Sequence, residues 1–134
     1  MTGAQCVAYA MLQTSTITNI CSTRIYNGDR PDTTIIPCIN FYEMAGAQRL
    51  KGFDRISYSI NCRAATAETA LTLARKVDEL FNGAHGNGTY GDWNGFGITR
   101  AFTRQRQGLV PEPDNGLYNA PVDIYIIFNS TAIT

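Results

Sequence analysis

The stretch at 54–63, DRISYSINCR, constrains the fold more than any other part of the sequence. Ile56, Tyr58, Ile60 and Cys62 alternate there with polar or charged residues. A period of two predicts a β-strand with one buried and one solvated face. The chain is therefore expected to contain a sheet that is covered on one side.

A helix is predicted directly after this strand. Thr66 is suited to cap its N-terminus, Glu68 lies in the first turn, where the helix dipole favours an acid, and Asn82-Gly83 ends it. Between these signals runs one apolar stripe at helical spacing, formed by Ala70, Leu73, Ala74, Val77, Leu80 and Phe81. We expect this stripe to pack on the sheet.

Weaker signals complete the predicted fold. A first helix is expected over Ala4–Leu12, and the Thr/Ser-rich segment after it has room for one more helical turn. Strands are predicted at 24–26, 35–44, 98–106 and 117–129, with loops at 48–52 and 83–97 and a turn-rich stretch at 111–116. In the last strand the inward set is expected to be Val122, Ile124, Ile126 and Phe128. This order predicts an α+β fold: a mainly antiparallel sheet of about four to five strands with two helices packed on one face.

The length and charge of the chain limit its class. With 134 residues, a single domain over 1–134 is expected, with a core at about 4–128, a glycine-rich insertion at 83–97 and a C-terminal extension at 129–134. The 11 basic and 11 acidic residues balance, so neither nucleic acid nor an anionic membrane attracts the chain as a whole. Only 16% of residues are charged. Neighbouring subunits or a polar uncharged surface would each account for that low fraction.

The cysteines point to an intracellular, reduced setting without a metal. Cys6, Cys21, Cys38 and Cys62 are widely spaced, no pair has the C-x-x-C spacing of a zinc site, and His85 is the single histidine. No basic and apolar leader opens the chain, and no apolar run approaches the ~20 residues of a membrane span. We expect buried thiols, no metal and no membrane partner.

The glycine-rich segment contains a nucleotide-binding pattern in the wrong context. Residues 86–91, GNGTYG, match the G-x-G-x-x-G spacing. That fingerprint requires a strand before it and a helix after it, whereas here a helix precedes and a strand follows. His85 has no partner motif that would make it a general base. No cofactor and no catalytic residue are predicted.

One charged feature stands out near the C-terminus. Arg100, Arg104 and Arg106 are expected to share one strand face around Phe102, with no acid between Ile98 and Gly108. The stripe would suit nucleic acid or an acidic partner surface. Alternatively, these arginines pair with acids of neighbouring strands or subunits.

Several local patterns in succession resemble a known family. They are RIYNG at 24–28 with Arg30-Pro31, IPCINF at 36–41, the alternating strand that leads into the helix at 64–81, and DNGLY at 114–118 with VDIY at 122–125. Over roughly residues 4–128 the chain resembles the tail terminator (tail completion) proteins of long-tailed bacteriophages. The insertion at 83–97 and the tail at 130–134 depart from that pattern.

The resemblance implies a non-enzymatic structural protein of the virion. Such proteins form rings, typically hexameric, on the head-proximal end of the tail tube, where they stop polymerisation and offer a surface to the neck. The implied partners are further copies of the chain, the major tail tube protein and a neck or head-completion protein, with genomic DNA passing through the lumen without specific recognition. The implied location is the tail–neck junction of a virion assembled in the bacterial cytoplasm.

Two alternatives to this function are retained. One is a head-closure or adaptor protein of the neck, and the other is a small nucleic-acid-binding module that uses Arg100, Arg104 and Arg106. The loop at 83–97 and the segment after Phe128 are expected to become ordered against neighbours. The residues predicted for the assembly interface are His85, Tyr90, Trp93, Phe96, Arg100, Arg104, Arg106 and Asn129.

Overall fold

The computed structural model describes residues 3–28, 35–50, 53–82, 91–93, 96–112 and 116–129. Its helices are α1 (Gly3–Leu12), α2 (Ser15–Cys21) and α3 (Ala67–Phe81). Its strands are β1 (Ile25–Asn27), β2 (Cys38–Glu43), β3 (Gln48–Leu50), β4 (Phe53–Ala64), β5 (Gly91–Trp93), β6 (Phe96–Arg106), β7 (Val110–Glu112) and β8 (Leu117–Asn129). The predicted α+β class is confirmed, and α2 adds a third helix to the two that were expected.

The strands form one mixed sheet in the order β1-β2-β4-β8-β6-β5, with β3 attached to β4 and β7 to β8. β1 runs parallel to β2, and the other described pairs are antiparallel. The long strands β4 and β8 pair from Phe53 opposite Asn129 to Ala64 opposite Tyr118. These two strands, which carry the clearest apolar alternation, lie in the middle of the sheet.

The three helices cover one face of the sheet and form the core with it. The inward set predicted for β8, Val122 to Phe128 at alternate positions, is confirmed because all four side chains are 0% exposed. Leu73, Val77 and Phe81 of α3 are also fully buried in this cluster. Full burial of a large apolar side chain contributes about 2 kcal/mol, so this layer supplies much of the driving force for folding.

The predicted start of α3 is confirmed. The Thr66 hydroxyl accepts a hydrogen bond from the Thr69 backbone N–H at 3.2 Å, and Glu68 lies in the first turn. At the other end, the Asn82 N–H donates to the Asp78 carbonyl at 2.8 Å. Both ends of this helix are therefore set by local side-chain and backbone chemistry.

Three short strands lie in segments that were expected to be loops or turns. Gln48–Leu50 pairs with 53–55, Gly91–Trp93 pairs with 96–98, and Val110–Glu112 pairs with 117–119. The loop predictions are wrong at these positions. Each strand has three residues, too few for a visible alternation, and each becomes extended by pairing with a long neighbour.

The second face of β4 is buried, whereas the sequence predicted a solvated one. Ser57, Ser59 and Asn61 are 9%, 2% and 7% exposed. Because β2 and β8 flank β4 on both sides, these small polar side chains lie between larger ones of the neighbouring strands. In the described part of the chain, none of the helices has the length and apolarity needed to cross a membrane.

Candidate assembly surface

Some of the residues predicted for the interface lie on strands of the sheet, and others lie outside the described part of the chain. His85 and Tyr90 lie outside the described residues. Trp93 and Phe96 are directly opposite each other in the β5–β6 hairpin, and Asn129 is opposite Phe53 at the end of β8. The hairpin and the end of β8 are both strand positions, so this part of the predicted interface belongs to the sheet.

A bulge in β6 separates the three arginines of the predicted stripe. The register pairs Thr103 with Ile124 and then Gln105 with Asp123, so Arg104 is the extra residue. After this shift Arg106 pairs with Val122, whose side chain points towards the helices. The shared face predicted for Arg100, Arg104 and Arg106 is therefore wrong, because a one-residue bulge reverses the alternation beyond it.

The sheet face opposite the helices, here called the open face, carries a connected polar layer. The Arg63 Nε donates to Asn40 Oδ1 at 2.9 Å, and its other end forms an ion pair with Glu112 at 2.7 Å. The Asn119 amide donates to Asn61 Oδ1 at 3.0 Å. These bonds pair polar groups that are largely removed from water, and they fix the positions of side chains on the four strands β2, β4, β7 and β8.

Asp123 lies within this layer at the centre of the sheet and is 0% exposed. Its Oδ2 accepts hydrogen bonds from the side-chain amides of Gln105 and Gln107, both at 2.8 Å. A buried carboxylate requires such donors because desolvation without them is costly. The bulge at Arg104 is what brings Gln105 opposite Asp123.

Beside this layer lies a group that we call the arginine–tyrosine cluster: Arg55, Phe102, Arg104 and Tyr125. The guanidinium carbons of Arg55 and Arg104 lie 4.9 and 5.6 Å from the centre of the Tyr125 ring. The Phe102 ring is 5.1 Å from the same ring in a tilted arrangement. Arg104 is exposed and Arg55 half-buried. Within the described residues, neither guanidinium group has an ion-pair or hydrogen-bond partner.

Sequence reasoning identified Arg104 and missed its partners. Arg55 is on the polar face of the alternating strand, and Tyr125 is at an outward position of β8. The alternation in the sequence indicates that these side chains point away from the core. Which of them contact each other depends on the strand order β4-β8-β6 and on the register of these strands. Only the folded sheet brings these side chains together.

The edge of β6 that points away from β8 is held by the end of α3. The Thr103 hydroxyl donates to Asp78 Oδ1 at 2.5 Å, and the Thr103 backbone N–H donates to Asn82 Oδ1 at 3.3 Å. Asp78 and Asn82 are one helical turn apart and therefore lie on the same side of α3. The Thr103 N–H, which could otherwise pair with another strand, is therefore occupied by Asn82 of the same chain.

The four cysteines are free thiols and are buried, as predicted. Burial raises the pKa of the Cys6 thiol to about 12 and that of Cys21 to about 11. Burial also raises the pKa of Cys62. Thiols are weak nucleophiles while protonated, so these groups serve as small core side chains. The described residues contain no group of three or more His, Cys, Asp or Glu side chains arranged to hold a metal ion.

The fold is similar to that of a chain in the solved structure of the virion of a native gene transfer agent (GTA) particle. The TM-score is 0.67 at 9% sequence identity, and the likeness covers 91% of this chain and 90% of that chain. At this identity the likeness concerns the fold. No protein-family model matches the sequence, and no curated protein matches it.

Proposed function

We propose that this chain is a structural, non-enzymatic protein of a phage-like virion. The observation that carries the proposal is the shared fold, which extends over about nine-tenths of both this chain and a chain of the GTA virion. A likeness over about nine-tenths of both chains concerns most of each subunit rather than a common local motif. The resemblance of the sequence to phage tail proteins supports the same class independently.

Within that class, the proposed role is that of a tail terminator. Copies of the chain would form a ring, typically a hexamer, on the head-proximal end of the tail tube, stop its polymerisation and offer the neck a surface. A ring requires a heterologous interface, in which two different patches of the subunit meet and the rotation closes. The protein would be located at the tail–neck junction, with DNA passing through the lumen.

The geometry supports such a role because the subunit has unlike surfaces. The helices cover one face of the sheet, while the open face presents a fixed polar layer and two arginines that have no ionic partner within the described residues. A terminator must bind the tube on one side and something other than tube protein on the other. We still propose the eight predicted residues as interface residues, although Arg106 lies on a different face from Arg104.

The mass of the purified protein and negative-stain images of it with tail tubes test this role. We expect rings of about six copies, or discs that cap one end of each tube and prevent further growth. A monomer in free solution would agree with the proposal provided that tubes are capped. Tubes that continue to grow at both ends in the presence of the protein would contradict it.

A head-closure or adaptor protein of the neck is the alternative within the same class. Particles assembled without the chain distinguish the two roles. Loss of a terminator gives tails of uncontrolled length, whereas loss of a neck protein gives tails of normal length that fail to join filled heads.

A further inference from the structure

We infer that the arginine–tyrosine cluster of the open face binds an acidic surface on a second copy of this chain, as one half of a head-to-tail interface. The inference rests on the proposed ring and names the surface that closes it. Arginines lie on β4 and β6, the two strands that flank Tyr125 on β8.

The open face concentrates positive charge around Tyr125. Arg55 and Arg104 both approach its ring, and the register places Arg55 and Arg100 opposite the same residue, Ile127, from the two sides of β8. The nearby acid, Asp123, is 0% exposed and accepts hydrogen bonds from two glutamine side chains. The charge of Arg55 and Arg104 is therefore directed outwards.

The cluster is also organised before any partner arrives. A guanidinium that stacks on an aromatic ring keeps its hydrogen-bonding edge free for a carboxylate. Because Tyr125 already orients Arg55 and Arg104, less side-chain entropy is lost on binding. Tyr42, which is 48% exposed, belongs to the same face through its pairing with Ser59 and adds apolar contact area. Tyrosine and arginine are the residue types that most often dominate interface energies.

A protein surface fits this cluster better than nucleic acid does. The Tyr125 ring is approached by Arg55, Arg104 and Phe102, so it offers no bare aromatic face on which a base could stack. The chain has equal numbers of basic and acidic residues, whereas nucleic-acid-binding domains are commonly strongly basic. The carboxylates of a folded partner are the matching chemistry.

The charge balance of the chain indicates a second copy as that partner. The sequence has 11 basic and 11 acidic residues, so outside Arg55 and Arg104 the chain has nine basic and eleven acidic residues. Glu43 and Glu68 are among the exposed acids of this remainder. A positive patch on a subunit that is otherwise acidic is complementary to its own copies in a heterologous interface.

The first test compares Arg104→Glu with Arg75→Glu, which reverses the charge of an exposed arginine on α3 instead of the open face. Self-association is measured by mass photometry in the presence of tail tubes, and circular dichroism confirms that both variants fold. We expect Arg104→Glu to weaken association by about tenfold or more and Arg75→Glu to leave it within about twofold. Rings that form equally in wild type and Arg104→Glu overturn the inference and leave the terminator proposal standing.

The second test identifies the occupant of the face. A photo-reactive Tyr42→p-benzoylphenylalanine variant is irradiated in the assembled state, and the cross-linked peptides are identified by mass spectrometry. Cross-links to acidic segments of the same chain support the inference, even if the tubes are not capped and the terminator role fails. Cross-links to DNA or to a different virion protein, or none to a second copy, overturn it.

Discussion

The contact between the last turns of α3 and β6 is expected to give a measurable coupling free energy between the Asp78 and Thr103 side chains. Replacing Asp78 by Ala leaves the half-buried Thr103 hydroxyl without its acceptor at 2.5 Å. Hydrogen bonds to charged groups contribute about 1.5–3 kcal/mol, and because this one is partly exposed we expect about 1.5 kcal/mol. The neutral 3.3 Å bond from the Thr103 N–H to Asn82 adds less, at about 0.5 kcal/mol.

A double-mutant cycle with Asp78→Ala and Thr103→Val isolates this contact. Valine keeps the β-branched shape that suits a strand and removes only the hydroxyl. The free energy of unfolding is measured by urea denaturation for wild type, both single variants and the double variant. We expect a coupling free energy of about 1–1.5 kcal/mol, because the double variant loses the contact only once.

The matched control is Glu68→Ala, which removes an exposed acid from the first turn of the same helix. Combined with Thr103→Val it is expected to be additive within about 0.3–0.5 kcal/mol. If the Asp78 cycle is additive to the same degree, the end of α3 does not hold the edge of β6, and the reasoning is refuted.

Three further predictions concern the core, a turn and the thiols. Leu73→Ala is expected to lower the free energy of unfolding by about 2–5 kcal/mol because this side chain is fully buried. Leu71→Ala, on the exposed side of α3, is expected to lower it by well under half as much. Equal losses in urea denaturation would contradict the assigned helix face. Gly116→Ala is expected to lower the free energy of unfolding by about 1 kcal/mol in the same assay, because φ at this position is +70°. Nothing lies within 4 Å of an added Cβ, so the loss comes from backbone strain alone. A stabilised variant would disprove this. Burial raises the pKa of Cys6 to about 12 and of Cys21 to about 11 from 9.0, so above about pH 9 the unfolded chain releases protons that the folded chain retains. The free energy of unfolding should therefore fall by up to about 1.4 kcal/mol per pH unit for each thiol between pH 9 and 11, and less steeply in Cys6→Ala; identical slopes for the two proteins would count against the burial of Cys6.

Helices and strands whose apolar pattern is local and repeated could be predicted from the sequence. The alternation around Tyr58, the stripe through Leu73 and Val77, and the inward set ending at Phe128 each recur several times, so burial on one side follows from periodicity. These elements became β4, α3 and β8. The fold class could be predicted because they form the centre of the molecule.

The remaining features depend on neighbours that a linear pattern does not contain. The strand at Gln48–Leu50 exists because β4 is extended beside it, and the burial of Ser59 follows from strands on both sides of β4. The bulge at Arg104 changes the face of Arg106 without any glycine or proline at that position to signal it. The arginine–tyrosine cluster combines residues from β4, β6 and β8, so its prediction requires the strand order.

The open face links these observations to assembly. Within its polar layer Arg63, Asn61 and the Oδ2 of Asp123 have partners, while the buried Asn119 Oδ1 and Asp123 Oδ1 have no hydrogen-bond partner among the described residues. Arg55 and Arg104 have no ionic partner in the described ranges. A buried network of this kind fixes the shape of the surface, and the stacked arginines give it charge. The proposed head-to-tail contact with further copies would use the cationic cluster of this face.

The length distribution of tails assembled without this chain tests the proposed terminator role most directly. Electron microscopy of particles from a deletion strain would measure it, with the wild-type gene supplied in trans as the control. The account predicts tails of widely varying and often excessive length that carry no heads, with normal length restored by complementation. Tails of uniform, wild-type length in the deletion strain would contradict it.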